Sequence, residues 1–185
     1  MPTARESLLE AAFAALGDRP WTAVRMVEVA AAAGVSRQTL YNEFSSKEGL
    51  ARALFRRETD AYLLGVERVL AHAERGGCDA GECFAAAAGW TLRSARRSPL
   101  VRAGLISGGR GDRPPPVDLV NGLHLRTVDA LVRGFPRLHP EDIVWACEAA
   151  LRLTLSYVIA PAPSDEDACL RVAQLVRSLL SWPSG

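Results

Sequence analysis

The chain has 185 residues, of which 49% are hydrophobic and 23% are charged, and its formal net charge at pH 7 is +1. This composition is typical of a soluble globular protein with a substantial core. It excludes a chain coated with positive charge for binding nucleic acid. Alanine and leucine, both strong helix formers, dominate, so we expect an all-α fold. The first 20 residues lack a signal-peptide pattern, and no apolar run is suited to span a membrane. We therefore expect a cytoplasmic protein without a membrane partner.

Four cysteines are present, and their spacing does not match a zinc site. We therefore predict no bound metal and no cofactor. Cys147 and Cys169 lie in apolar helical stretches and are expected to be buried free thiols. Cys78 and Cys83 lie close together beside a Gly-Gly pair, so a redox or metal role for these two stays open.

Capping patterns indicate where several helices begin. Thr3, Ser45 and Asp79 are each followed three residues later by a glutamate that can complete a capping box, and Ser164 precedes three acidic residues that favour a helix N-terminus. The glycines and prolines of 108–116 predict the least regular segment. Together with apolar periodicity, these signals predict about nine helices, near residues 3–16, 23–33, 36–43, 46–74, 79–97, 99–107, 115–134, 140–160 and 164–181.

The segment from Val24 to Phe44 has the pattern of a helix-turn-helix. Gly34 follows an alanine-rich helix at the position where a left-handed residue ends a helix, and Ser36 can cap a second, short helix. Small residues at Ala30 and Ala33 let the two helices cross closely. A glycine turn between two such helices is typical of this motif.

The second helix of the motif has an unusual outward face. Leu40 and Phe44 are four residues apart and form its inward side. The side chains on the opposite, outward side can hydrogen-bond to base edges and phosphates, as amides do to adenine and arginine to guanine. The alternative to a DNA-binding motif is a helical hairpin of an ordinary α-domain, whose polar face is simply solvated. The outward residues are Arg37, Gln38, Thr39, Tyr41 and Asn42.

The stretch VEVAAAAGVSRQTLYNEFSSKEGL resembles the N-terminal domain of TetR-family bacterial regulators. The resemblance covers about the first quarter of the chain. The rest matches the family only in length and helical layout. The matching parts are Val29-Ala30, Ala33-Gly34-Val35-Ser36, Thr39-Leu40-Tyr41, Phe44, Ser46-Lys47-Glu48 and Leu50.

The resemblance implies that the helix starting at Ser36 enters the DNA major groove and that Lys47, the only lysine, binds a phosphate. Thr22 and Arg25 are further candidates for phosphate contacts. Glu43 departs from the family, which often has histidine there, so it either contacts cytosine or points away from the DNA. The predicted DNA-binding residues are Thr22, Arg25, Ser36, Arg37, Gln38, Thr39, Tyr41, Asn42 and Lys47.

The resemblance also implies a division into a DNA-binding domain, residues 1–47, and a ligand-binding and dimerisation domain, residues 48–185. The last two predicted helices resemble the family's dimer interface, and the alternative is the core of a monomeric bundle. The predicted interface residues are Glu148, Arg152, Leu170, Val172, Ala173, Val176, Leu179 and Leu180.

Apolar residues with a few polar groups on four predicted helices indicate a small-molecule pocket. The long helix that starts near Ser45 is expected to couple this pocket to the DNA-binding domain. The candidate pocket residues are Phe84, Ala88, Trp90, Thr91, Leu105, Leu123, His124, Thr127, Trp145, Thr154 and Tyr157.

Taken together, the residues and the resemblance predict a homodimeric repressor that leaves a palindromic operator when it binds a small, largely apolar ligand. No hydrolase, phosphate-binding or zinc-protease motif is present, so we do not expect an enzyme. One rival is a helical module that uses the motif to bind proteins. Two variants of the regulator also remain open, an activator and a regulator that responds to a partner protein.

Overall fold

The structure is a computed structural model that describes residues 2–107 and 119–181, and every regular element in those two ranges is helical. The predicted all-α fold is confirmed. The chain divides into two compact units, Met1–Glu58 and Thr59–Gly185. No helix within the described ranges is both long enough and apolar enough to cross a membrane. The assignment of functions to residues 1–47 and 48–185 stays a prediction.

The first unit contains three short helices and the beginning of a fourth. These are α1 (Ala4–Asp18), α2 (Met26–Ala32), α3 (Arg37–Phe44) and α4 (Lys47–Arg75), with a short 3-10 turn at Trp21–Ala23 between α1 and α2. Every one of these elements except the turn contributes to one apolar core, which also includes Val24. The core residues are Leu8, Leu9, Ala12, Val24, Val29, Ala30, Leu40, Phe44, Leu50 and Leu54.

The second unit contains the rest of α4 and five further helices. These are α5 (Ala80–Arg97), α6 (Pro99–Ser107), α7 (Leu119–Gly134), α8 (Pro140–Ile159) and α9 (Asp165–Leu180). The predicted helices therefore correspond to the observed ones, although residues 108–118, which include the predicted irregular segment, lie outside the described residues.

Most predicted helix caps are present. Thr3 and Glu6 form a complete capping box, as do Asp79 and Glu82, and Ser164 accepts a hydrogen bond from the backbone of α9. The cap predicted at Ser45 is wrong by one residue. Ser45 has a positive φ of 60°. The hydroxyl of the next residue, Ser46, instead accepts a hydrogen bond from the Gly49 N–H at 3.0 Å.

Helices α5 and α9 run antiparallel and pack closely against each other. At one end Arg177 Nε donates to Asp79 at 2.8 Å, and at the other end Arg96 pairs with Asp165. These pairs are exposed, so their contribution to stability is small. Between them, a Cβ on Gly81 would lie 2.8 Å from the Ala173 carbonyl oxygen, which requires glycine at the crossing.

Candidate functional site

The turn between α2 and α3 has the geometry that the sequence predicts. Gly34 has a φ of +68°, a conformation that costs glycine little. Its N–H donates to the Ala31 carbonyl at 3.1 Å, and the Val35 N–H donates to the Ala30 carbonyl at 3.0 Å. This pair of bonds is a Schellman motif, which ends α2 and sets the direction in which the chain enters α3.

Helix α3 is capped at its start and buried along one side. Ser36 Oγ accepts from the Thr39 N–H at 3.0 Å, while Leu40 and Phe44 are buried in the core of the first unit. Removing the Ser36 hydroxyl would cost this short helix about 1 kcal/mol. The outward residues that the sequence predicts are Arg37, Gln38, Tyr41 and Asn42, all exposed, and Thr39, which is half-buried.

The three remaining DNA candidates lie in neighbouring elements. Thr22 is in the 3-10 turn, Arg25 directly precedes α2, and Lys47 begins α4. Lys47, the first residue of α4, donates from Nζ to the Thr22 carbonyl at 3.1 Å, and its ammonium lies 5.6 Å from the centroid of the Trp21 ring. An ammonium has three donors, so two stay available for an anion. Arg25 and Arg37 are exposed and form no ion pair with any described residue. These positive groups are therefore free to meet phosphates.

Glu43 forms an ion pair with Arg5, a residue that is not among those predicted from the sequence. Arg5, on α1, donates to the Glu43 carbonyl at 3.3 Å and to its carboxylate at 3.4 Å. The same guanidinium lies 4.6 Å from the centroid of the Phe44 ring. The pair joins α1 to the last turn of α3. No local signal indicates it, because the two residues are 38 positions apart.

We expect Glu43→Gln to strengthen DNA binding about fivefold at low salt. A carboxylate about 8 Å from a phosphate costs about 0.5 kcal/mol in water, and the expected homodimer would carry two of them. The gain should vanish as salt screens the charges. Affinity for a DNA duplex would be measured by fluorescence anisotropy at several salt concentrations, with Glu10→Gln on α1 as the control. Weaker binding by Glu43→Gln at low salt would contradict this prediction.

Seven of the predicted pocket residues line one small cavity of about 20 Å³ in the second unit. Its walls come from α5, α7 and α8, and the polar part consists of threonines, Cys147 and His124. The predicted residues that line it are Phe84, Ala88, Thr91, Leu123, His124, Thr127 and Thr154.

The other four predicted pocket residues do not line this cavity. Trp90 Nε1 donates to the Tyr62 carbonyl at 3.0 Å, so its indole covers the backbone of α4. Leu105 is buried in α6, and Tyr157 is half-buried beside the core. Trp145 is 60% exposed and lies outside the lining of this cavity.

The predicted dimer residues differ in burial. Val172, Ala173 and Val176 are buried in the chain's own core, where α9 packs on α5 and α8. The prediction is corrected for these three, because a side chain covered by its own subunit offers no surface to a second copy. Glu148 and Arg152 pair with each other at 2.7 Å on the surface of α8, and Leu170 is 59% exposed. Leu179 and Leu180 are half-buried.

The four cysteines are free, with Cys83 and Cys147 buried and Cys78 and Cys169 half-buried. The burial predicted for Cys169 is thus only partial. Burial raises the pKa of both Cys83 and Cys147 to about 12, with nearby acidic groups adding to the effect at Cys83. Within the described residues, no cluster of three or more metal-ligating side chains exists.

We expect iodoacetamide at pH 8 to leave Cys83 and Cys147 of the folded protein unmodified. A thiol with a pKa near 12 is ionised in about one molecule in ten thousand at this pH, and only the thiolate reacts. Mass spectrometry of native and unfolded protein would locate the modified cysteines, and the unfolded protein serves as the control. Rapid modification of Cys83, or a Cys78–Cys83 disulfide under mild oxidation, would instead support the redox role.

The comparisons with known proteins agree with this geometry. Residues 8–54 match the model of the bacterial regulatory proteins of the tetR family. The HTH-type transcriptional regulator AlkX of Mycobacterium tuberculosis is 32% identical over 183 residues, which cover 93% of this chain and 82% of that protein.

Solved structures agree as well. The TetR family repressor AlkX from Dietzia sp. strain DQ12-45-1b, implicated in biodegradation of n-alkanes, is 25% identical with a TM-score of 0.61, covering 96% of this chain and 95% of that one. RolR in complex with resorcinol shares the fold at 18% identity, with a TM-score of 0.58 and coverage of 97% and 94%. With a relative above 30% identity along most of its length, the chain belongs to the TetR family of bacterial transcriptional regulators, whose DNA-binding helix-turn-helix is formed here by α2 and α3.

Proposed function

We propose that the protein is a repressor that binds a palindromic operator as a homodimer and leaves it when a small, largely apolar ligand binds the second unit. The observation that carries the DNA-binding part is the outward face of α3. It exposes hydrogen-bonding side chains, and its Arg37 has no ion pair with any described residue. Such groups suit base edges and phosphates. Lys47 and Arg25 supply further positive charge from neighbouring elements.

The homodimer is supported by an exposed stripe on α8. Trp145, Arg152 and Ile159 are spaced seven residues apart, so they lie on one side of the helix. Trp145 and Ile159 are 60% and 62% exposed, and Leu170 adds apolar surface on the neighbouring helix α9. A second copy that covers this stripe would remove large apolar groups from water. Two recognition helices about one turn of DNA apart would then read a palindrome.

The effector is supported by the cavity among α5, α7 and α8, where apolar walls carry a few polar groups. RolR, a protein of the same fold, binds resorcinol, a small aromatic molecule. Release of DNA requires that the ligand bind more tightly to a conformation that does not fit the operator.

Tyr62 is proposed to couple the cavity to α4, the helix that begins at Lys47. The Tyr62 hydroxyl lies 2.9 Å from Thr91 Oγ1, and Thr91 lines the cavity. We expect Tyr62→Phe to bind operator with unchanged affinity but to lose much of the ligand-induced release. Operator titrations with and without ligand would measure this. Full release by the variant would exclude this hydrogen bond as the link.

Selection of bound duplexes from a randomised DNA pool by the ligand-free protein at moderate salt tests the proposal. A palindrome whose half-sites are about one turn apart supports the dimeric regulator. If the folded protein enriches no sequence and its DNA binding shows no salt dependence, the proposal of a DNA-binding regulator fails, and a helical module that binds proteins becomes the better explanation. Ligand-induced loss of binding to the selected duplex then tests release.

A further inference from the structure

Three threonines in the polar part of the cavity wall already use their hydroxyl protons in hydrogen bonds. Thr127 Oγ1 donates to the Leu123 carbonyl and Thr154 Oγ1 to the Ala150 carbonyl, both at 2.8 Å. A hydroxyl has one proton and two lone pairs. Each of these oxygens can therefore offer only acceptor sites to a molecule in the cavity.

The hydroxyl proton of Thr91 is also already used in a hydrogen bond. Its Oγ1 donates to the Ala87 carbonyl at 2.8 Å, so in the 2.9 Å contact with the Tyr62 hydroxyl the tyrosine is the donor. Both groups are buried. The threonines on α5, α7 and α8 thus present the same chemistry, acceptors without a free donor.

His124 supplies the one unused ring nitrogen at this cavity among the described residues. It lines the cavity, and its Nε2 is shielded from water and has no hydrogen-bond partner in the described part of the chain. Leaving such an atom unpaired costs about 1–3 kcal/mol. A molecule that pairs with it would recover this free energy. Depending on the tautomer, Nε2 either donates or accepts.

The described lining contains no arginine or lysine. Burial raises the pKa of Cys147 to about 12, so its thiol is uncharged at neutral pH. A carboxylate, which is only an acceptor, would face the lone pairs of three threonines, and the lining offers no guanidinium or ammonium group to balance its charge. Burial of an unpaired charge is costly.

We propose, resting on the effector role given above, that this cavity selects a neutral ligand with a hydroxyl group on a small apolar frame. A hydroxyl both donates and accepts, so it can donate to a threonine oxygen such as Thr127 Oγ1 and also pair with His124 Nε2. The rest of the ligand lies against the apolar part of the wall, which includes Phe84 and Leu151.

The cavity must open when such a ligand enters. Its 20 Å³ is room for about one water molecule. A ligand as large as a benzene ring therefore displaces wall side chains, and the cost of this displacement lowers affinity. Selection among ligands of equal size then depends on the polar group, because the cost of opening is shared by all of them.

Three ring compounds of similar size test the proposal: phenol, toluene and benzoate. Binding to the full chain would be measured by isothermal titration calorimetry at pH 7.5, where phenol is neutral and benzoate is charged. We expect phenol to bind about fivefold to tenfold more tightly than toluene, as one or two hydrogen bonds imply, and benzoate to bind most weakly. Equal binding of phenol and toluene, tighter binding of benzoate, or no binding of phenol would overturn the proposal.

Two threonine variants locate the site. Thr127→Val keeps the shape of the side chain and removes the acceptor, so we expect it to lose the preference for phenol and to keep its affinity for toluene. Thr59→Val is the matched control, since Thr59 is buried in the second unit but does not line the cavity. A phenol preference that survives Thr127→Val would contradict this assignment of the acceptor.

The DNA experiment is independent of these titrations. If the protein selects an operator but phenol does not bind, only the ligand inference fails. If phenol binds with the expected preference but never weakens operator binding, the cavity chemistry stands and the release function fails.

Discussion

We expect Lys47→Ala to lower the affinity of the proposed dimer for its operator by roughly 30-fold near 0.15 M salt. Each lost phosphate contact reduces the slope of log K against log salt by about 0.9, and a dimer loses two. If the variant and the wild type bind equally at 1 M salt, this change of slope lowers the affinity at 0.15 M salt about fivefold per contact. Lys47 is suited to the contact because the Thr22 carbonyl and the Trp21 ring hold its ammonium in place at the start of α4.

Arg52→Ala is the matched control for Lys47→Ala. Arg52 is exposed and lies on the same helix α4, five residues after Lys47 and about 140° around the helix axis. Arg52→Ala removes the same charge from another side of the helix. We therefore expect its affinity for DNA to fall by less than about threefold and the salt slope to stay unchanged. Circular dichroism would check that both variants fold. If the two variants lost equal affinity, the phosphate contact assigned to Lys47 would be wrong.

The second large effect is expected from Gly65→Ala. In an exposed helix, glycine to alanine stabilises by about 1 kcal/mol. In α4, however, a Cβ at this position would lie 2.7 Å from Trp90 Nε1 and closer still to other atoms of the ring. The indole cannot retreat without losing its hydrogen bond to the Tyr62 carbonyl. We therefore expect a loss of about 2 kcal/mol from overpacking, which lowers Tm by roughly 4–8 °C in a chain of this size.

Two further variants separate packing from helix propensity. Gly17→Ala places the same methyl group in α1, where nothing lies within 4 Å of the new Cβ, and should be neutral or stabilising. In a Trp90→Ala background, Gly65→Ala should no longer destabilise, because the clashing ring is gone, and the double-mutant cycle would measure the coupling. Thermal unfolding would be followed by circular dichroism. A stabilised Gly65→Ala in the wild-type background would contradict the close packing.

Local signals account for what could be predicted from the sequence. Capping boxes such as Thr3 with Glu6 and the turn at Gly34 involve residues at most a few positions apart, so the backbone preferences of those residues decide the outcome. The same holds for the outward face of α3, because Leu40 and Phe44 already determine which side of so short a helix is buried.

Long-range packing decided the features that these local signals do not predict, which are the partner of each apolar helix face and the burial of individual side chains. Amphipathic patterning shows that α9 has an apolar side, but it does not show whether the chain's own α5 or a second copy covers that side. The same limit applies to Trp90 and Trp145, which look alike in sequence. Only in the folded chain does Trp90 pack against Gly65 of α4, while Trp145 stays exposed. Side-chain burial depends on partners that are distant in sequence, and helical periodicity contains no information about which partner that is.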